Sequence, residues 1–251
     1  MHGRPNEPAS PNEPAFPRDG DLVGDPRRTA FLAIAVLAVV ALLTVVVATD
    51  TRAPPFLQDL DDAWRRRVLA WPDVTRRLGE LFEVLGAAVV MVPLRIVVAV
   101  WLAFRRRRWD LAAWLLGWLV ADVLTAVLKP GLARERPTPL DPDNPFTSFP
   151  SAHAKTAAQV AIGLVLIATG PWRGRRAWYG VAAGWIVLMA LSRTVLDHHW
   201  LSDVVAGSLL GAGCAFLAAA GLQLTRDARA RDDQAQDSLP PDARAPDERD
   251  S

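Results

Sequence analysis

The sequence predicts an all-α membrane protein: six transmembrane helices in a bundle, with an active site at the helix ends of the outer face. Three observations point there. Apolar residues make up 51% of the 251-residue chain, yet they are gathered into runs long enough to cross a bilayer instead of being spread as in a soluble core. Arginines cluster in alternate short loops. Lysine, Arg, Ser, His and Asp recur where three of the runs end.

Residues 1–27 contain a small repeat, PNEPA at 5–9 and again at 11–15. Rich in Pro and without periodicity, this stretch is expected to be a disordered tail without chemistry. It does not read as a cleavable signal, because the apolar run after it comes late and is too long. The apolar runs follow at about 29–48, 81–104, 111–128, 152–169, 177–196 and 201–224. Each approaches the roughly 20 residues a helix needs to span the hydrocarbon core. Strands would have to close into a barrel of much shorter alternating segments, so helices are the expected spanning form. The six-span domain is thus placed at 28–224, with its motif-bearing part at about 81–224. A polar tail at 225–251, free of aromatics, is expected to be disordered.

Loop charge gives orientation. Arg27 and Arg28, the block 105–108, and Arg173, Arg175 and Arg176 fall on one side of a six-span chain, and positive residues mark the cytoplasmic side. Trp101, Trp109, Trp172 and Trp178 flank these loops as an aromatic belt. Both termini are then cytoplasmic. Arg65, Arg66, Arg67, Arg76 and Arg77 run against the rule. They alternate with Asp59, Asp61, Asp62 and Asp73, and the stretch 56–80 reads as an amphipathic outer segment, with an amphipathic helix at 59–80 on the outer surface.

Net charge is +1, which gives nucleic-acid binding no electrostatic support. The single cysteine, Cys214, leaves no internal disulfide. Lysine occurs only at 129 and 155.

The polar cluster at the outer helix ends carries the chemistry. Span three ends in KPGLARERP, with Lys129 and Arg136; the next loop ends FPSAH, placing Ser151 and His153 at the mouth of span four. Span five runs into SRTVLDHHWLSD, with Arg193, His199 and Asp203. If the His199–Asp203 stretch is helical, the i,i+4 spacing lets the carboxylate reach one imidazole nitrogen, fixing the tautomer and activating the other. Three cations suit a phosphoryl group and its transition-state charge. Ser151 and the free N–H groups opening span four add donors. Two histidines allow one to attack phosphorus and one to protonate the departing oxygen.

KxxxxxxRP, PSxH and SRxxxxxHxxxD, in this order and spacing, resemble the three signature motifs of the type 2 phosphatidic acid phosphatase (lipid phosphate phosphatase, haloperoxidase-related) superfamily. The chain is similar to a bacterial integral-membrane member, and the likeness covers roughly spans two to six. Ala152 departs from the commoner Gly. The resemblance implies His199 as the nucleophile forming a phosphohistidine, Asp203 as its orienting partner and His153 as general acid. It assigns Lys129, Arg136, Ser151 and Arg193 to the phosphate.

The function expected is a metal-independent membrane phosphatase acting on a lipid phosphomonoester or pyrophosphate. Phosphatidic acid, phosphatidylglycerol phosphate and undecaprenyl pyrophosphate are the candidate types. No metal or other cofactor is expected, and the partners are a lipid substrate and the bilayer, not nucleic acid. A phosphotransferase on the same scaffold is the alternative. A non-catalytic transporter or scaffold would draw on the intramembrane charges Arg95 and Asp122, but the polar cluster lies at one surface, not at the midplane where transporters bind.

Some residues carry structural expectations. His198 lacks an Asp at i+4 and reads as an interfacial side chain beside Trp200. Lys155 is expected to snorkel to the outer headgroups. A direct Arg95–Asp122 pair looks unfavourable, with depths about 10 Å apart at 1.5 Å per residue. Pro93 is expected to kink span two, and Gly207, Gly211, Gly213 and Gly221 to serve close helix packing.

Overall fold

The computed structural model describes residues 19–49, 56–138, 148–169 and 175–238. The remainder of the expected N-terminal tail (1–18), loop residues 139–147, Trp172 and Arg173, and the C-terminal 239–251 lie outside the described residues. Those described form eight α-helices and no strand: α1 Pro26–Thr49, α2 Phe56–Leu69, α3 Asp73–Gly86, α4 Ala88–Phe104, α5 Arg108–Leu132, α6 Ala152–Thr169, α7 Arg175–Val195 and α8 Leu201–Asp237.

Each apolar run falls within these helices, but the span count is not a simple six. α1, α5, α7 and α8 are long and apolar enough to cross a membrane by themselves; α3 and α4 qualify only as a pair bent by 45°, and α6 has a shorter apolar stretch, Ala152–Ala168. Lipid-type surface is plain on α1, where Phe31 is 71% and Leu42 63% exposed. Such surface would be untenable in water.

α8 is the axis of the bundle and packs on α1, α5, α6 and α7. Its small residues let it do so. A Cβ on Gly207 would sit 2.5 Å from Ser151 O, one on Gly211 2.1 Å from Lys155 O, and one on Gly213 2.9 Å from Leu37 Cδ2. Backbone therefore meets backbone where α6 crosses α8. Gly221 differs from expectation: nothing lies within 4 Å of its added Cβ.

The span bends by 45° at Ala87, where ψ of 151° ends α3 and caps α4; Pro93 stands inside α4. Gly86 beside it lets α3 press on α7, since a Cβ there would meet Met189 Cε and Sδ at 2.8 Å. The amphipathic outer helix is likewise two helices. Pro72, which lacks an N–H to continue α2, separates it from α3.

Three polar expectations are corrected. Arg95 does pair with Asp122, Nη1 to Oδ2 at 3.1 Å, and also donates to Thr156 Oγ1 at 3.2 Å. Lys155 does not snorkel; it is 4% exposed and its Nζ binds Asp122, which also accepts from Trp118 Nε1 at 2.5 Å. The long Arg side chain closes the difference in depth, and the cost of bare charges among apolar helices favours the pairing. Residues 19–25, expected in the tail, are packed: Leu22 and Val23 are buried, and both N–H groups donate to Gln223 Oε1 at 3.0 and 2.8 Å. Gly20 N–H donates to Asp110 at 3.0 Å, and Arg175 to Leu22 O. The polar continuation after residue 224 is helical to Asp237.

Candidate active site

The C-terminal ends of α5 and α7 and the N-terminal ends of α6 and α8 meet at one end of the bundle, with α2 and α3 packed against them. The opposite end carries residues 19–25 together with Arg107, Asp110, Arg175 and Gln223.

After α7 the backbone winds tightly. His198 N and His199 N both donate to Arg193 O, at 3.0 and 3.2 Å, and Asp197 takes a left-handed φ of 61°, which Asp tolerates better than most residues. His199 thus precedes α8, whereas the spacing argument placed it on a helix. The His–Asp pair survives because Asp203, in the first turn of α8, folds back across the helix start. Its Oδ2 accepts from Trp200 N at 3.0 Å and faces His199 Nδ1 at 3.4 Å. A carboxylate there is also favoured by the helix dipole.

Asp203 is fully buried and accepts two more bonds, from Arg134 Nη1 at 2.7 Å and from Ser148 Oγ. With Nδ1–H assigned toward that carboxylate, the lone pair of His199 falls on Nε2. Nε2 lies 3.2 Å from Arg136 Nη1, which also donates to His198 O at 2.8 Å. Burial pushes the His199 pKa down to about 4, against the pull of Asp203. The ring is therefore neutral at neutral pH. Burial lowers Arg136 as well, but a guanidinium stays charged.

Ser151 opens α6. Its N–H donates to Asp203 O at 3.1 Å and its Oγ accepts from Ala154 N at 3.5 Å, leaving the hydroxyl hydrogen to donate elsewhere. His153 follows in the first turn, within electrostatic reach of Arg193, His199, His198 and Arg136. Lys129 occupies the last turn of α5, within electrostatic reach of Arg136 and Asp203. Ala133, with φ of 46°, ends that helix and turns the chain toward Arg134 and Arg136. Among the described residues, two buried polar atoms of this cluster lack a partner: His153 Nε2 and Arg193 Nη2. Such orphans are rare in folded proteins and mark groups poised for a ligand.

His198 is not simply interfacial. Its Nδ1 lies 3.4 Å from Glu83 Oε1 and 3.5 Å from Arg193 Nη1, and Glu83 pairs with Arg193 Nη1 at 3.4 Å. The sequence reading missed Glu83, and also Arg134, Asp61, Ser148 and Ser202. Arg134 bridges two buried carboxylates, Asp203 and Asp61, the latter at 2.7 Å; Asp61 also accepts from Ser202 N at 2.9 Å and Oγ at 2.5 Å. Arg65 of α2 forms a two-pronged bond to Asp197, at 2.7 and 2.6 Å. The one signal available for these contacts was the alternation of Arg and Asp in 59–77.

The end of α3 together with α4, α6 and α7 lines an open apolar groove of about 490 Å³, with Leu85, Met91, Leu94, Val160, Leu164 and Trp185 among its walls. Leu85 adjoins Gly86, where an added Cβ would meet His153 Cδ2 at 2.9 Å. Among the described residues no group of three or more His, Cys, Asp or Glu side chains is placed to hold a metal ion.

Comparisons with known proteins show what the chain is similar to. The family model of the PAP2 superfamily matches residues 110–226. The chain is 34% identical over 139 residues to phosphatidylglycerophosphatase B of Bacillus subtilis (strain 168), an alignment covering 53% of this chain and 68% of that protein. It is 34% identical over 142 residues to undecaprenyl-diphosphatase of Sulfolobus acidocaldarius, covering 53% and 64%. The chain therefore spans about two thirds of the length of these relatives. In structure it resembles the transmembrane PAP2 type phosphatidylglycerolphosphate phosphatase from Bacillus subtilis, with a TM-score of 0.59 and 26% identity over 78% of this chain and 96% of that one.

Proposed function

The chain belongs to the PAP2 superfamily, and on that premise we propose that it is a metal-independent membrane phosphatase hydrolysing a lipid phosphomonoester or diphosphate through a phosphohistidine. One observation carries the reading. His199 has Nδ1 against a buried Asp203 and Nε2 against Arg136, beside the unpartnered nitrogens of His153 and Arg193.

In this mechanism Lys129, Arg136, Arg193 and Ser151 hold the phosphoryl oxygens, together with the N–H groups opening α6. Arg136 exchanges its contact with His199 for a phosphate oxygen. Nε2 then attacks phosphorus in line, a P–N bond forms and the P–O bond to the lipid breaks, with His153 protonating the departing oxygen. Asp203 stabilises the positive imidazole. Water, giving its proton to His153, next cleaves the P–N bond and releases phosphate. The charge a metal would supply comes from the three cations.

The names of the relatives support a lipid substrate, and the apolar groove beside His153 offers a place for its tail. The site is read as facing outward with both termini cytoplasmic. Arg107, Arg175 and Arg226 at the other end support this orientation.

Purified protein assayed with a panel of lipid phosphates in micelles containing EDTA tests the proposal. Phosphate release is expected, with an acid-labile phosphoenzyme after brief incubation with labelled substrate. His199→Ala abolishes both, whereas His198→Ala keeps most of the turnover. Strict dependence on a divalent ion, or equal loss in the two folded variants, would refute it. Phosphate appearing only on an added acceptor would mark a phosphotransferase instead.

A further inference from the structure

Glu83 belongs to none of the three motifs, yet it touches the site from α3. Gly86 lies one turn along the same helix face, and its Cα hydrogen occupies the space where a Cβ would stand 2.9 Å from His153 Cδ2. In the mechanism proposed above, the departing oxygen lies against His153. Arg193 and His198 lie within electrostatic reach of His153, and Glu83 holds both, so a group that follows that oxygen toward them meets Glu83.

For a phosphomonoester the next group is a neutral carbon skeleton. For a diphosphate it is a second phosphoryl group, which needs donors and positive charge of its own. Arg193 Nη1 and His198 Nδ1 border this path, and both are already engaged by the Glu83 carboxylate, each at 3.4 Å. Arg193 is divided between two tasks: Nη1 is held by Glu83, while Nη2 is buried without a partner among the described residues. The Glu83 side chain is 41% exposed, so part of its charge stays open to an approaching anion.

We propose that Glu83 makes this a one-phosphoryl site, a specificity-determining residue that favours lipid phosphomonoesters over lipid diphosphates. The inference rests on the phosphatase reading and narrows its substrate class. Glu83 leaves the inner anion position to Lys129, Arg136 and Arg193 Nη2. At the same time it neutralises the outer pair that a longer anion would use.

The test compares kcat/KM for phosphatidic acid and diacylglycerol pyrophosphate of identical acyl chains, using the full-length protein in mixed micelles. Wild type prefers the monoester. Glu83→Gln raises the diphosphate-to-monoester ratio about tenfold, the size expected for removing one nearby charge, while Glu83→Asp keeps the wild-type ratio. A second measurement needs no variant: inorganic pyrophosphate inhibits wild type no more tightly than phosphate. A wild-type preference for the diphosphate, an unchanged ratio in Glu83→Gln, equal loss on both substrates, or tighter inhibition by pyrophosphate would each overturn the inference while leaving the phosphatase reading intact. Inactivity of wild type on every lipid monoester and diphosphate of the panel would overturn that reading and this inference with it.

Discussion

Replacing Gly207 by Ala tests whether the α6–α8 crossing sets the geometry of the site. The added methyl would stand 2.5 Å from Ser151 O and 3.3 Å from Lys155 N. Ordinary contact needs roughly 3.4 Å, so the start of α6 must retreat by about 0.9 Å. That turn bears Ser151 and His153, and Ser151 N is bonded to Asp203 O at 3.1 Å. Overpacking of this kind costs about 1–3 kcal/mol of stability, whereas misplacing reacting groups by about 1 Å costs about 100-fold in rate. Gly207→Ala should therefore fold, with a modestly lowered Tm, and lose about two orders of magnitude in kcat on a lipid phosphate. Gly221→Ala, with open space around it, is the matched control and should change neither quantity. Wild-type kcat in Gly207→Ala would refute the argument, as would a rate loss no larger than the lost stability explains.

Two further outcomes follow from the buried charges. Arg134→Gln leaves Asp61 and Asp203 without their shared cation, both with side chains 0% exposed, and is expected to cost about 3–5 kcal/mol; adding Asp61→Asn should recover part of this in thermal unfolding, and strict additivity would count against the bridge. His199 titrates at about 4 in the folded protein against about 6.5 unfolded, so the unfolded chain binds more protons between those values and stability drains away as pH falls through that window. Wild type should therefore lose Tm relative to His199→Gln between pH 6.5 and 4.5, and parallel curves would refute the shift.

Much of the site could be read from the chain because three apolar runs end in polar motifs. An apolar run fixes where a helix is, and its end fixes which face of the membrane a side chain can reach. Lys129, Arg136, Ser151, His153, Arg193, His199 and Asp203 were all placed in this way at one end of the bundle. The residues that brace them were not legible. Asp61 meets Ser202 across 141 residues of chain, and no local period encodes that contact. Arg134 sits at one of the unspecified positions inside KxxxxxxRP, and its two carboxylates lie on different helices. The Ala87 break was hidden because the apolar run continues through it, and the close approach of Gly86 to Met189 beside it is a tertiary contact that no local period encodes. Arg95 and Asp122 were weighed as a pair by depth alone and Lys155 apart from them, whereas in the low-dielectric interior all three settle together on Asp122.

The short packed segment from Asp19 to Val23 has a practical consequence. Three hydrogen bonds join it to the Gln223 amide, through Leu22 N, Val23 N and Val23 O, and it covers Asp110 and Arg175 as well. Shortening the gene to begin at Pro26, a natural cut for anyone seeking a tidier sample, would uncork three buried polar side chains at the Arg-rich end. A purification tag is safer placed ahead of this strap than in exchange for it.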